Sequence, residues 1–186
     1  MALEETEELI SGRRIKVWYL VKALNKNEAG GLWYLQDYKA TNDWPDNSDL
    51  KKTRAAFELN YTGYLEKLSA AVKDEYRFIF AVPSKKEYAV AFKAKIASKL
   101  RNARDLSNYW SKDESIRIAT PHSTDEDAYK AIRLKVGANF SEVTSVLIVD
   151  DILSKGRTFR AIEKKMRENN LPRNAEIALA CALWLH

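Results

Sequence analysis

The sequence predicts an α/β protein with a mainly parallel central sheet flanked by helices. Three observations point there. Short apolar runs at 77–83 (RFIFAVP), 144–149 (TSVLIV) and 175–185 (AEIALACALWL) are bounded by turn formers and breakers. Unbroken runs of that length are the mark of strands buried on both faces. Between them, Tyr88, Phe92, Ile96 and Leu100, and later Phe159, Ile162 and Met166, recur at helical spacing. Strands that alternate with helices pair in parallel through crossover connections.

Taken in order, residues 15–22 (IKVWYLVK) and 32–39 (LWYLQDYK) are aromatic and β-branched, and they flank the turn-forming ALNKNEAGG. They read as a β-hairpin or two short strands. The segment NDWPDNSD is a loop, and Ser48 or Asp49 in it is a cap for the next helix. Over 50–72, Phe57, Tyr61, Tyr64, Leu65, Leu68 and Val72 follow helical spacing around Gly63. Residues 1–75 are thus expected to form an N-terminal hairpin and helix, packed as an edge or hood addition on a core of residues 76–186. The whole is expected to be one compact domain.

Pro83 stops the first core strand, and Ser84 with Glu87 supplies a capping box for a helix running to about Leu100. SIRIAT (115–120) is a further strand candidate. PHSTDED (121–127) is a polar loop, followed by a short helix with Ala128, Ile132 and Val136 on one face. Asp125, Glu126 and Asp127 fit a solvated helix start. A strand over 144–149, a loop and a helix bearing Phe159, Ile162 and Met166 come next. Pro172 ends that helix, and the final buried strand follows.

Composition narrows the function classes. The chain has 186 residues, 46% apolar and 31% charged, with a formal charge of +5. Its basic residues are scattered among acids, which argues against nucleic acid and suits a small anionic ligand. Cys181 is the one cysteine, so a disulfide framework and a cysteine-rich zinc site are excluded; a core role in a reducing cytoplasm is expected. The acidic start lacks the apolar stretch of a signal peptide, and no run reaches transmembrane length.

The chemistry concentrates in VLIVDDILSKGRTF, residues 146–159. Ligands of an open parallel sheet bind outside the carboxyl ends of its strands. Asp150 and Asp151 lie at such an end. Adjacent carboxylates repel one another, so they call for donors or a cation, such as sugar hydroxyls and magnesium. Ser154, Lys155, Gly156, Arg157 and Thr158 stand just before a helix, whose unpaired N–H groups and dipole favour a phosphate. Gly156 lets successive amides converge, the two hydroxyls add donors, and Lys155 and Arg157 add charge. A diol-binding acidic pair followed by a phosphate cradle describes a ribose 5-phosphate.

This stretch resembles the signature of type I phosphoribosyltransferases: an apolar strand, two acidic residues, two apolar residues, then a Thr/Ser-x-Gly-x-Thr phosphate loop. The resemblance covers about residues 76–186 and implies that family's fold. It also implies that Asp150 and Asp151 are the catalytic pair, contacting the ribose hydroxyls of 5-phosphoribosyl 1-diphosphate (PRPP) and ligating Mg²⁺. Ser154, Lys155, Gly156, Arg157 and Thr158 would hold the 5′-phosphate. FIFAVPSKKEY stands where the family has its pyrophosphate loop, so Ser84, Lys85 and Lys86 would meet the diphosphate. Residues 109–127 occupy the place of the family's flexible closing loop. DEDAYKAIRLKVGANF resembles the competence-protein-F-like branch, which makes Arg133 a further PRPP contact.

The expected function is Mg²⁺-dependent transfer of a 5-phosphoribosyl group from PRPP to a base or amine, with diphosphate release, in cytoplasmic nucleotide metabolism. The alternative is a non-catalytic regulator that binds PRPP or a nucleotide on the same fold. No hood motif for a purine, pyrimidine or orotate is present, so the acceptor stays open, as does a homodimer. Tyr109, Trp110, Trp33 and Trp44 are stacking or core residues, and His122 is a loop residue near the substrate or simply at the surface. A receiver domain is rejected, because its acidic pair lies near the start of a longer chain. A P-loop is excluded by the missing G-x-x-x-x-G-K-[ST].

Overall fold

The computed structural model describes residues 4–10, 13–23, 63, 66–68, 70, 72, 76–83, 94, 96–98, 100, 102–116, 118 and 122–185. Its elements are β1 (Glu4–Ile10), β2 (Arg13–Ala23), β3 (Phe78–Ala81), β4 (Arg104–Asp105), a 3₁₀ turn (Ser107–Tyr109) and β5 (Trp110–Lys112). Then come α1 (Asp125–Ala131), β6 (Ile132–Leu134), β7 (Ser145–Leu153), α2 (Arg157–Glu168) and β8 (Glu176–Leu185). Among the described residues, six strands form one sheet in the order β1-β2-β8-β7-β3-β4. Every neighbouring pair is parallel except β1 with β2. The α/β class with a mainly parallel sheet is therefore what the chain adopts.

The apolar runs of β7 and β8 are buried on both faces, because successive side chains point to opposite sides of a strand. Val146, Ile148, Ile177, Leu179 and Cys181 join the core under α2, whereas Leu147, Val149, Ala178 and Ala180 join the core with Leu68, Val72, Ile96 and Leu100. The alternation slips by one further along. Leu153 and Trp184 pack with the first cluster, and Ile152 and Leu183 with the second. In β2, Val17 and Tyr19 belong to the first cluster and Ala23 to the second, so the same slip is present there. The pairing register is unchanged through it: Asp150 faces Cys181 and Ile152 faces Leu183. Three adjacent strands change phase together, at the row that follows Asp150.

α2 buries Phe159, Ile162 and Met166, as their spacing predicts. The helix stops before Pro172 for a reason in its own backbone. Asn170 takes φ 71°, and the Leu171 N–H returns to the Met166 carbonyl at 3.0 Å. That six-to-one bond after a left-handed residue is a Schellman stop, closed by the buried Leu171.

The described residues change several expectations. Residues 15–22 lie in β2, but the antiparallel neighbour of β2 is β1, from the acidic start of the chain. The expected partner 32–39 lies outside the described residues. Arg13–Ala23 also pairs with β8, so the strand pair extends one edge of the central sheet. Within 115–120, the described residues Ser115, Ile116 and Ile118 form no strand. The Asp113 carboxylate accepts from both the backbone and the hydroxyl of Ser115 at 3.0 and 2.6 Å, which bends the chain into a turn instead.

The helix expected through Val136 ends at Ala131. Ile132 turns extended, and β6 pairs antiparallel with β5. Ala128 and Ile132 are buried, while Val136 is 98% exposed. The strand expected over 144–149 runs on to Leu153, because β8 continues to pair with it. Trp110, inside the segment matched to a closing loop, is a core residue stacked between Phe80 and Phe140 at 5.3 and 5.8 Å. Cys181 is fully buried, as expected of a small core residue.

Candidate functional site

The sheet order sets the position of the site. β3 leads by its crossover to β4 on one side, whereas β7 leads through α2 to β8 on the other. Between β3 and β7 the direction of winding reverses, the position at which open parallel sheets take ligands beyond the carboxyl ends of their strands. The two strands pair as far as Ala81 with Val149. The Val82 N–H then donates to the Val149 carbonyl at 2.8 Å. Beyond this point β7 continues alone against β8.

Asp150 is the first residue of β7 past the β3 pairing, and it is half-buried. Asp151 follows in the same strand. Ser154 and Lys155 are exposed, Gly156 is buried, and Arg157 and Thr158 are half-buried at the first turn of α2. Gly156 caps that helix with φ 65° and ψ 10°, a left-handed conformation that a residue with a Cβ adopts only at a cost. Its carbonyl accepts the first helical bond, from the Arg160 N–H, at 2.9 Å. The loop thus opens a 12-residue helix just past the end of β7, the kind of helix start that favours an anion. Ser84, Lys85 and Lys86 come after Val82 and Pro83, past the end of β3, and lie outside the described residues.

Arg133 has a different setting. It lies in β6 and pairs with Asp113, the residue after β5. Hydrogen bonds from Ser115, and then from Arg133, hold the Asp113 carboxyl below the usual carboxylate range. Tyr109 is half-buried against the core, His122 is exposed, and Trp33 and Trp44 lie outside the described residues.

One residue of the site neighbourhood has no signature in the sequence. Arg160 donates from Nε and Nη2 to the two carboxylate oxygens of Asp125, at 2.9 and 2.6 Å. From Nη1 it donates to the Lys155 carbonyl at 2.7 Å. Asp125 opens α1, whose start is secured by a reciprocal capping box between Thr124 and Asp127. The Arg160 hydrogen bonds hold the Asp125 carboxyl below its ordinary range, and the Thr124 backbone donor does the same for Asp127. Arg160 and Asp125 also line a cavity of about 460 Å³ between α1 and α2. No local spacing announces this contact, because its partners lie 35 residues apart.

The described residues define an α/β protein whose acidic pair and glycine loop stand at the switch point of a mainly parallel sheet. No protein-family model matches the chain, and no curated protein matches it. Among solved structures, the chain is similar to a purine phosphoribosyltransferase from Pyrococcus horikoshii OT3. The identity is 14% and the TM-score 0.41, over 63% of this chain and 68% of that one. It is also similar to a hypoxanthine phosphoribosyltransferase from Staphylococcus aureus, at 14% identity and a TM-score of 0.40, over 67% of this chain and 60% of that one. Among the described residues, no helix is long and apolar enough to cross a membrane.

Proposed function

We propose that the chain is a phosphoribosyltransferase that takes PRPP and passes its 5-phosphoribosyl group to a nitrogenous acceptor, with release of diphosphate. The observation that carries this reading is the placement of Asp150 and the 154–158 loop together at the switch point between β3 and β7. On this reading, an acceptor for a diol ends one strand and a cradle for a phosphate follows it.

In the reaction the anomeric carbon loses its bond to the diphosphate oxygen and gains one to the acceptor nitrogen, which gives up a proton. The protein contributes positioning and charge stabilisation. Asp150 and Asp151 accept from the ribose hydroxyls and stabilise positive charge at the ring. On this reading Ser154, Lys155, Gly156, Arg157 and Thr158 hold the 5′-phosphate, and Ser84, Lys85 and Lys86 are assigned to the diphosphate from their place in the sequence.

Mg²⁺ fits the donor set, since this ion is usually held by one or two carboxylates plus substrate phosphates. The adjacent Asp150 and Asp151 are of that kind, and no cluster of three ligating side chains occurs among the described residues. When bound, it would offset the charge of the departing diphosphate.

The test is calorimetric titration of PRPP with Mg²⁺ into the wild-type protein and into Asp150→Asn/Asp151→Asn. Loss of binding in a folded variant is expected; unchanged affinity sinks the assignment. Diphosphate release with one member of a panel of bases and amines then identifies the acceptor. Tight binding without turnover on any acceptor points to the regulatory alternative.

A further inference from the structure

We propose that Arg160 is the positioning residue of the anion loop: it holds residues 154–156 in their receiving form by clamping the Lys155 carbonyl to Asp125 of α1. What the loop receives rests on the functional reading above; the clamp itself rests on geometry alone.

Lys155 precedes the helix cap, so its carbonyl has no place in the α2 hydrogen-bond ladder. Arg160 supplies the missing donor through Nη1 at 2.7 Å. Its main chain holds the next residue as well, because the Arg160 N–H donates to the Gly156 carbonyl at 2.9 Å. One residue therefore grips two consecutive carbonyls of the loop.

The other edge of the guanidinium is taken by both oxygens of Asp125, at 2.9 and 2.6 Å. A planar fork with donors on two edges is what this needs, and a lysine ammonium does not provide it. Asp125 is itself placed by the capping box of α1 and serves as a fixed anchor. Ser154 and Lys155 are exposed. The clamp thus ties the order of the loop to the seating of α1 on α2.

The experiment measures backbone order parameters of residues 154–156 by NMR relaxation in the wild type, Arg160→Gln, Arg160→Lys and Asp125→Asn. Alongside, ribose 5-phosphate is titrated into each. The wild-type loop is expected in the rigid range near about 0.85, falling toward about 0.6 in all three variants. Affinity for ribose 5-phosphate is expected to fall about tenfold in each.

Order parameters unchanged in Arg160→Gln, or fully restored in Arg160→Lys, overturn the proposal. If Arg160→Gln does not fold, Asp125→Asn reads the same contact from its exposed end, and an unchanged loop there overturns it equally. If the wild type ignores ribose 5-phosphate while the loop still loosens in the variants, the functional reading falls and the clamp stands.

Discussion

Ala81 and Val149 are the last paired residues of β3 and β7, and Asp150 is the residue that follows on the longer strand. An acidic side chain is thereby set where one neighbour strand has ended and the other, β8, still supports the backbone through Cys181. Backbone support from β8 at the point where the β3 pairing ends sets this carboxylate at the switch point of the sheet.

Ribose 5-phosphate is expected to raise the thermal midpoint of the wild type. A ligand at about 100 times its dissociation constant adds about 2.7 kcal/mol. For a chain of this length that is a rise of roughly 5–10 °C. Asp150→Asn/Asp151→Asn is expected to lose most of the rise. A scanning calorimetry trace with no ligand-dependent shift in the wild type contradicts the proposed site.

Gly156→Ala is expected to cost about 1–2 kcal/mol, because alanine must adopt the left-handed conformation seen at φ 65°. Phosphate affinity should fall with it, since relief of the strain moves the amides of the loop. Equilibrium denaturation read beside a ribose 5-phosphate titration checks both, and a variant as stable as wild type contradicts the cap geometry.

Ile162→Ala is expected to destabilise by about 2–5 kcal/mol, as its side chain is fully buried between α2 and the sheet. Val136→Ala, at a position 98% exposed, should change stability by less than about 0.5 kcal/mol. Urea midpoints at constant m-value measure the contrast.

The Asp125–Arg160 bridge has a defined pH window. The folded carboxyl titrates below its unfolded value of about 3.9, first because Arg160 hydrogen-bonds to it. Its contribution is present above about pH 3.9 and is lost as the pH falls through the lower folded value. The Asp125 side chain is 58% exposed, so the contribution is about 0–1 kcal/mol. The stability gap between wild type and Asp125→Asn is expected to hold from pH 7 to 5 and to close below about 4. A gap that persists to pH 2 rules this out.

Tyr129 runs the opposite way. Its hydroxyl donates to the Glu168 carboxylate, which raises the phenol above its ordinary value of 10.0. A raised folded value gives stability that is present below about pH 10 and is lost as the pH rises through the folded titration. Wild type and Tyr129→Phe are expected to converge in stability at high pH. Constant separation from pH 8 to 12 tells against the bond.

The parts of the fold that could be read in the sequence are those written by local rules. The apolar runs of β3, β7 and β8 and the period of Phe159, Ile162 and Met166 depend on near neighbours, and they appear where expected. The miss at 115–120 came from Asp113, whose carboxylate competes for the local backbone more strongly than Ile116 and Ile118 favour a strand. The miss at Val136 came from a strand partner, β5, that no spacing within 128–136 reveals. At the site, the acidic pair and the glycine loop are contiguous and therefore legible. The switch point and the Arg160 clamp join residues far apart in the chain, so they exist only once the sheet is assembled.

Among the described residues, the two strands that bound the sheet carry a consequence for self-association. β1 begins Glu4, Glu5, Thr6, Glu7, Glu8, and β4 is two charged residues long. Four acidic residues within one bounding strand disfavour its pairing with a second copy of that strand, and the other bounding strand offers few backbone groups to recruit a partner. Growth by strand addition, the common route from an open sheet to aggregates, is discouraged at both ends. Neutralising Glu4, Glu5, Glu7 and Glu8 would remove that guard without touching the proposed ligand site.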